Sequence, residues 1–431
     1  MKTSSFMNSS RRKFLQTTLL GVSSAALPST ALPFKIQKRP RILLRGSWHS
    51  INIGDIAHTV GTINLIKTYL PEVEIILWPK NVKDGVKEMI LRRFPNLQII
   101  QKEHEVQSAF KECDFFLHGS GPVLVGQDEL LRWRKETGKP YGVFGIGLGN
   151  KRAVQQRDLL SHAEFLFFRE SISLQRARDN GVKCPIMEFG PDATFSTDVR
   201  NDRAANRFLS AHGLEHGKFL CCIPRYRKYP LPIGKEYWEV SAPFDPDAPV
   251  NEKSQKRNEE MKEHDHAILR EAIIRIVQET DMKVLVCPED ISQVSLGKEM
   301  IIEKLPKDIR KDVVWKDTYW LTDEALSTYI RSAGVFGLEQ HSPIMCIGNG
   351  IPAIVGRFPE QGIKGFMWRD IGLNDWLFDI DQPEDAKNYV PTVLEIAKNP
   401  DAAKDKAALA HGRVEKFQRR MVEVLKKSLS I

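Results

Sequence analysis

The sequence lacks any uninterrupted apolar run long enough to cross a lipid bilayer, which requires about 20 apolar residues. It also lacks internal repeats and low-complexity segments. No nucleic-acid-binding motif and no strong basic patch occurs. These absences predict a protein with no transmembrane segment and no nucleic-acid partner.

Cysteine is scarce, with 6 residues in a chain of 431, at positions 113, 184, 221, 222, 287 and 346. None of the spacings between them is typical of a metal site. Most of these cysteines lie within apolar runs, which predicts buried free thiols rather than a disulfide framework. We therefore expect no bound metal and no cofactor.

The first part of the chain, residues 1–31, contains no acidic residue. Arg11 and Arg12 form a twin arginine ahead of the mildly apolar segment TTLLGVSSAAL, and small residues follow at Ser29 and Ala31. This order is typical of a cleaved export signal of the twin-arginine (Tat) type. We predict a signal peptide over residues 1–31 and a periplasmic or other extracytoplasmic location.

Removal of this signal peptide takes away four basic residues and lowers the formal net charge from +8 to +4. A net charge this small is weak support for any polyanionic partner.

After the signal, apolar strands alternate with amphipathic helices. The predicted strands cover 41–46, 74–78, 114–119, 141–146 and 164–169, and then 219–224, 283–288, 313–317, 334–339 and 352–357. Apolar strands separated by helices indicate parallel sheets covered on both faces. We therefore predict an α/β fold with two Rossmann-like parallel-sheet domains facing across a cleft.

The domain boundaries follow from changes in composition. A polar junction near 199–216 separates an N-terminal domain, residues 40–200, from a C-terminal domain, residues 215–400. The polar stretch 225–262 is interpreted as a mobile loop or lid inserted in the second domain. A basic amphipathic helix, in the segment 402–431, is expected to pack its apolar stripe on the fold.

Glycine-rich turns follow three predicted strands of the first half, where ligands bind in such sheets. Gly54 and Asp55 begin a helix whose free backbone N–H groups suit an anion or a hydroxyl group. Gly119, Gly121 and Gly147 allow close approach of a ligand to the backbone, and tight turns without a ligand are the alternative. The glycine spacing does not fit the dinucleotide-binding fingerprint.

In order along the chain, these segments resemble motifs of the polysaccharide pyruvyl transferase family, from about residue 42 to residue 381. NIGD, beginning at Asn52, resembles the family's N-x-G-D, and GKPYGVFGIGLG resembles its G-K-P strand and glycine turn. FRESISLQRARDNGV, which contains Arg169, and GPDATF, which contains Asp192, resemble two further motifs. GVFGLEQHSPIMCIGNGIPAIVG resembles the G-x-R-x-H segment and places His341 at the family histidine. The resemblance implies two Rossmann-like halves arranged as in GT-B glycosyltransferases.

The resemblance also implies an activity: transfer of a pyruvyl group from phosphoenolpyruvate to two sugar hydroxyls as a ketal. The partners would be a saccharide or polysaccharide and phosphoenolpyruvate. His341 would act as acid, base or phosphate ligand, and the substrate contacts would include Asn52, Gly54, Asp55 and Arg169.

Such a transfer requires cations for the phosphate and carboxylate of the donor. Arg225 and Arg227, which follow the first strand of the second half, are candidates for this role. A solvated basic loop is the alternative.

The sequence departs from the family pattern at Glu339, which replaces the arginine two residues before the histidine. An anion at that position would repel the donor by about 1–4 kcal/mol at contact distance. The export signal also disfavours a donor that is a cytoplasmic metabolite. The alternative function is an exported carbohydrate-active enzyme, hydrolytic or eliminative, or a glycan-binding relative, in which Glu339 and His341 replace the donor-binding site.

A second polar cluster lies in MKEHDHAILREAI, at or before the first turn of a helix predicted near 264–280. In the functional interpretation, His264 acts in catalysis and His266 in substrate binding, beside Glu339 and His341. The alternative is an aspartate cap at Asp265 with two surface histidines.

Overall fold

The computed structural model describes residues 39–236, 239–242, 245 and 248–430. The predicted signal peptide, residues 1–31, lies outside the described residues. Among the helices of those described ranges, none is both long and apolar enough to cross a membrane.

Seven parallel strands form the first sheet, in the order β3-β2-β1-β4-β5-β6-β7. They are β1 Arg41–Gly46, β2 Glu74–Pro79, β3 Gln98–Ile99, β4 Phe115–His118, β5 Tyr141–Ile146, β6 Phe165–Phe168 and β7 Met187–Phe189. The strand order reverses between β1 and β4, which pair directly although two strands separate them in the chain. In sheets of this kind, ligands bind beyond the carboxyl ends of the strands at such a reversal.

Six parallel strands form the second sheet, in the order β10-β9-β8-β11-β12-β13. They are β8 Phe219–Ile223, β9 Lys283–Val286, β10 Val313–Trp315, β11 Gly334–Gly337, β12 Ala353–Arg357 and β13 Leu377–Asp379. The reversal lies between β8 and β11. Both reversals join strands whose side chains are buried on both faces, as their apolar sequences predict.

Helices connect the strands and cover both sheets. In the first half they are α1 Ile53–Tyr69, α2 Val86–Arg93, α3 Glu103–Glu112, α4 Gln127–Thr137, α5 Asn150–Gln155, α6 Arg157–Ser161, α7 Ser171–Asp179 and α8 Asp202–Ala211. In the second half they are α9 Glu252–Glu279, α10 Gln293–Met300, α11 Lys307–Arg310, α12 Thr322–Tyr329, α13 His341–Ile347, α14 Met367–Asp370, α15 Pro383–Lys398 and α16 Pro400–Ser428. The predicted fold class, two parallel-sheet α/β domains, is confirmed.

One prediction about local structure was wrong in part, and several elements were not predicted. The polar stretch 225–262 is not loop throughout, because α9 begins at Glu252, where the Asn251 side chain accepts a hydrogen bond from the backbone N–H of Ser254 at 3.3 Å. The junction 199–216 contains α8, which Asn201 caps in the same way. The edge strands β3, β7 and β13 were not predicted, since two or three residues carry too little periodicity.

The last helix, α16, returns to the first half of the molecule. Its apolar stripe, including Met421, Val422 and Leu425, belongs to the core under the first sheet. Arg420 forms an ion pair with Glu188 of β7, with 2.8 Å between Nη2 and Oε1. The predicted packing of an amphipathic helix on the fold is therefore confirmed.

All six cysteines are free thiols. Five are buried and Cys184 is half-buried, as the sequence predicts. Burial raises the pKa of the Cys113 thiol to about 12, which keeps it protonated at neutral pH.

A single turn of 3-10 helix, Ala193–Ser196, packs between α1 of the first half and α13 of the second. Two glycines make this close packing possible. A Cβ atom on Gly61 of α1 would lie 1.9 Å from the carbonyl oxygen of Ala193, and one on Gly348, which ends α13, would lie 1.9 Å from the carbonyl oxygen of Phe195. The two halves therefore meet through backbone atoms here.

We expect Gly61→Ala to destabilise the protein by about 1–3 kcal/mol, because the added methyl group overlaps backbone that cannot move freely. The measurement is the free energy of unfolding from urea denaturation. Gly412→Ala is the matched control, since Gly412 lies within α16 with open space at its Cβ position. That variant should gain about 0.4–1 kcal/mol. Equal effects of the two substitutions would contradict the packing described.

Candidate functional site

A cavity of about 300 Å³ lies where loops from the carboxyl ends of the two sheets meet. Its wall consists of Asn52, Asp55, Pro122, Arg169, Arg225, Tyr226, Tyr229, Pro230, Asp290, Ser292, Gln293, Glu339, Gln340, His341, Gln361 and Lys364. A larger depression, of about 620 Å³, lies at the opposite edge, beside the first residues of β1 and β2. The smaller cavity is the candidate site, because carboxyl-terminal loops bind ligands in this fold.

A backbone bridge joins the two halves at the cavity. The N–H of Ile53 donates to the carbonyl of Glu289 at 2.9 Å, and the N–H of Ile291 donates to the carbonyl of Ile51 at 3.0 Å. Between them, Asn52 and Asp290 form an antiparallel bridge. The loop before α1 and the loop after β9 are therefore held against each other.

Asn52 and Asp55 lie in the cavity wall, as predicted. The predicted anion site at the start of α1 is partly occupied by the protein itself. The Asn52 side chain accepts hydrogen bonds from the N–H groups of Gly54, at 2.9 Å, and Asp55, at 3.2 Å. Fewer free donors remain there than the sequence suggested.

His341 begins α13 and lies against α1. Its Nδ1 lies 2.9 Å from Glu289 Oε1, while the N–H and hydroxyl of Ser342 donate to Glu289 Oε2 at 2.6 and 2.7 Å. A Cβ atom on Gly54 would lie 2.2 Å from the imidazole ring, so glycine is required for this contact. Burial lowers the pKa of His341 well below its ordinary value, and the ring is neutral at neutral pH.

The second nitrogen of His341 faces another histidine. Its Nε2 lies 3.1 Å from Nε2 of His58, which belongs to α1. Nδ1 of His58 lies 2.7 Å from Asp192 Oδ1 and 2.8 Å from the Ser120 hydroxyl. Both histidines therefore form a continuous chain of polar contacts between two buried carboxylates, Glu289 and Asp192.

Sequence reasoning missed His58 and Glu289. His58 is one helical turn beyond Asp55, so its position relative to the N-x-G-D segment was the available signal. Glu289 follows β9 at the carboxyl end of a strand, where functional residues are expected.

Glu339 also lies in the wall, and its charge is not isolated. Its carboxylate accepts hydrogen bonds from the Arg225 guanidinium and from Gln293 Nε2, the latter at 2.6 Å. Burial raises the pKa of Glu339 to about 8, against the opposing effect of Arg225. The expected repulsion of an anionic donor is therefore offset, since Arg225 brings a cation to the same point from the loop after β8.

Two more cationic side chains line the cavity. Arg169 follows β6, and its Nη1 lies 3.4 Å from Asp192 Oδ2. Lys364 follows β12 in a 3-10 turn, and burial lowers its pKa to about 7. Arg169, Arg225 and Lys364 thus reach one cavity from both halves of the chain.

The four predicted glycines, Gly54, Gly119, Gly121 and Gly147, are absent from the cavity wall, and Gly54 instead makes room for the His341 ring. The Cβ position of Gly147 is 2.7 Å from the carbonyl oxygen of Pro122 and 3.4 Å from Nε of Arg169. The Cβ positions of Gly119 and Gly121 likewise face protein atoms, the nearest being Thr62 and Val123 at 3.3 and 3.4 Å. These glycines let loops pack closely, and the alternative interpretation of tight turns describes them better.

Arg227 lies outside the cavity wall in a buried ion-pair network. Its guanidinium nitrogens lie 2.7 Å from Asp265, 2.5 Å from Asp381 and 3.2 Å from Glu360. All its charge is compensated by protein groups, which makes the residue structural. This placement departs from the predicted substrate contact.

His264 and His266 also lie outside the cavity wall, because α9 passes through them and does not begin there. His264 is exposed, with Nδ1 2.9 Å from Asp265 Oδ1. His266 is buried, and its Nδ1 donates to the carbonyl of Lys262 at 2.6 Å. The predicted grouping of these residues with Glu339 and His341 is not observed, and the aspartate-cap alternative is also wrong.

Comparisons with solved structures agree with this architecture. S. aureus MnaA, in a co-structure with UDP, has a TM-score of 0.56 at 11% identity, covering 91% of this chain and 97% of that chain. Anabaena HepE, in complex with UDP and glucose, has a TM-score of 0.53 at 10% identity, covering 90% of this chain and 100% of that chain. At such identities the likeness shows the fold alone, which is GT-B-like.

At the level of sequence, no curated protein gives a significant match. The family model described as polysaccharide pyruvyl transferase matches residues 52–355. This range begins at Asn52 in the cavity wall and ends within β12, so it includes the loops that carry Arg169, Arg225 and His341. The chain belongs to the polysaccharide pyruvyl transferase family.

Proposed function

We propose that the protein transfers a pyruvyl group from phosphoenolpyruvate to two hydroxyl groups of a sugar, forming a ketal and releasing phosphate. The observation that carries the proposal is the cavity wall, which brings three cationic side chains together with the acid Glu339. Membership of the family supports the same reaction. The phosphate and carboxylate of the donor require cations of this kind.

The reaction requires proton transfer but no oxidant or reductant. One sugar hydroxyl adds to C2 of the donor while its methylene carbon, C3, takes a proton and becomes a methyl group. The bond between C2 and the phosphate oxygen then breaks, and the second hydroxyl adds to C2. One hydroxyl proton ends on the methyl group and the other leaves with phosphate, so one acid and one base suffice.

The pKa values of two wall residues suit these roles. Glu339, with a pKa of about 8, is protonated at neutral pH and is assigned as the acid that protonates C3. Lys364, with a pKa of about 7, is partly neutral and is assigned as the base for the hydroxyl. An acid with a raised pKa beside a base with a lowered one is the pattern expected of acid–base catalysis.

The remaining cations bind the donor. Arg169 and Arg225 are assigned to its phosphate and carboxylate groups, since guanidinium groups form paired hydrogen bonds to such anions. His341 lies in the same wall, but burial lowers its pKa well below its ordinary value, which makes it a weaker base than Lys364. Proton transfer is therefore assigned to Glu339 and Lys364.

The alternative, an exported glycan-active or glycan-binding protein, depended on two grounds: repulsion between Glu339 and the donor, and an export signal on a protein whose donor is a cytoplasmic metabolite. The contact between Glu339 and Arg225 weakens the first ground. The Tat-type export and periplasmic location remain proposals that rest on residues 1–31 of the sequence.

We expect saturable binding of phosphoenolpyruvate in calorimetric titration. Arg225→Met should weaken it about 10–100-fold, the cost of losing one charge-assisted hydrogen bond. Arg134→Met is the matched control, because Arg134 lies on the surface and pairs with Asp158. Absence of binding at millimolar donor, in a folded protein, would overturn the transferase proposal and favour the exported glycan-active alternative.

We expect a bell-shaped dependence of kcat/KM on pH. Activity should rise as pH passes about 7, where Lys364 loses its proton, and fall as pH passes about 8, where Glu339 loses its own. Lys364→Met should lower kcat about 100-fold or more and remove the rising limb. Lys387→Met, a change of an exposed lysine, should leave the profile unchanged. A rising limb retained in Lys364→Met would assign the base to another residue.

A further inference from the structure

Two buried histidines and an aspartate converge at the base of the cavity. His58 and His341 are 283 residues apart in the sequence, yet their Nε2 atoms are 3.1 Å apart. One carboxylate oxygen of Asp55 lies within 4.8 Å of a ring nitrogen of each histidine. All three residues are buried. The 3.1 Å between the two Nε2 atoms is a polar contact distance, and three atoms of the kind that bind metals lie within 4.8 Å of one another.

The hydrogen bonds of the rings determine which nitrogens face that point. Nδ1 of His341 lies beside Glu289, and Nδ1 of His58 lies beside Asp192. Because a carboxylate only accepts, each Nδ1 carries the ring hydrogen and donates it. A ring whose single hydrogen lies on Nδ1 presents a lone pair at Nε2. Two lone pairs at this distance repel each other unless a positive species lies between or beside them.

The arrangement matches the surroundings of metal-binding histidines in proteins. Such histidines donate their second ring N–H to a carboxylate, which fixes the tautomer and orients the ring. Here both histidines do so, with separate carboxylates that are fully buried. The Glu289 carboxylate is itself held by the N–H and hydroxyl of Ser342.

The separation of the two nitrogens also fits a shared metal ion. With bonds of about 2.0–2.1 Å, two nitrogen ligands lie about 3.0 Å apart at a right angle and about 3.4 Å apart in a tetrahedron. The observed 3.1 Å falls between these values. Asp55 and His341 also belong to the cavity wall, which places two of the three ligands beside the proposed substrate space.

We propose that His58, His341 and Asp55 bind one divalent transition-metal ion through two imidazole Nε2 atoms and one carboxylate oxygen, with an open position toward the cavity. The ligand set suits zinc, cobalt, iron or manganese. An ion there would add a Lewis acid to the cavity, where an oxygen of a donor anion or a sugar hydroxyl would bind. The site follows from the geometry of the three residues and does not depend on the proposed transfer reaction.

This inference differs from the sequence-based expectation of no metal site. Asp55 and His58 are three residues apart on α1, but His341 lies 283 residues beyond His58, so no local spacing in the sequence indicates the complete ligand set. A second acidic cluster, His264, Asp265 and Asp381, has a similar composition. There, however, the guanidinium of Arg227 already pairs with both aspartates, so oxygens of both carboxylates are occupied and their negative charge is partly offset.

The test is titration of the full chain, cleared of metal by a chelator, with Co²⁺. We expect one Co²⁺ per chain, displaced by Zn²⁺, with visible d–d absorption. Intense absorption would indicate four ligands and weak absorption six, and either fits the site. Proton magnetic resonance of the Co²⁺ form should show two exchangeable imidazole N–H signals shifted by the metal, one from each Nδ1.

Three variants locate the ion. His58→Gln and Asp55→Asn should weaken Co²⁺ binding by more than the roughly 10–100-fold that loss of an outer-shell partner costs. Glu289→Gln removes an outer-shell partner, so its loss of Co²⁺ affinity should lie within that 10–100-fold range. His264→Gln is the matched control, and its Co²⁺ affinity should equal that of the unchanged protein. If a variant fails to fold, the two N–H signals of the unchanged protein still decide the assignment.

Failure of the folded, unchanged chain to bind one equivalent of Co²⁺ would overturn the proposal. So would loss of binding in His264→Gln but not in His58→Gln. Either result would leave a shared proton as the species between the two Nε2 atoms. Because the readout is metal binding, these outcomes are independent of phosphoenolpyruvate binding and turnover.

Discussion

The hydrogen bonds between the loop at residues 51–53 and the loop at residues 289–291 are the contact on which the rest of the site depends. They hold the start of α1 against the end of β9. As a result, Glu289 reaches His341, and His341 in turn reaches His58 on the neighbouring helix. This contact brings ligand-type atoms from both halves to one cavity.

Much of the fold could be predicted from the sequence, because its central strands are long apolar runs and its main helices are amphipathic. The predicted strand at 41–46 agrees with β1, and the helix predicted at 55–70 corresponds to α1. The predictions failed where the local signal is weak. Strands of two or three residues at sheet edges carry no periodicity. The start of α9 is highly polar and depends on its Asn251 cap rather than on an apolar stripe.

The residues of the cavity wall could be predicted mainly where they follow the ends of strands, and less well elsewhere. Asn52, Asp55, Arg169, Arg225, Glu339 and His341 lie in the cavity wall. Arg225 and Arg227 are two residues apart, but Arg225 lies in the cavity wall whereas Arg227 lies in a buried ion-pair network. Their spacing in the sequence does not reveal this difference. The structure also alters the expected effect of Glu339 on an anionic donor. The family arginine is absent from its usual position in the sequence, but Arg225 supplies a guanidinium group to the same region of space.

The six free thiols have a consequence for how the molecule is held together. With every cysteine unpaired, no disulfide joins the two halves, and apart from the polypeptide chain itself they are held together by noncovalent contacts. Because the thiols are free, the reaction of each one with a thiol reagent reports whether its surroundings are accessible to solvent. In the folded protein, a thiol reagent can reach Cys184, which is half-buried, whereas Cys221, Cys222, Cys287 and Cys346 are enclosed in the core of the second half. Cys113 is buried in a core of the first half, so the order in which it and these four thiols react records which half of the chain opens first.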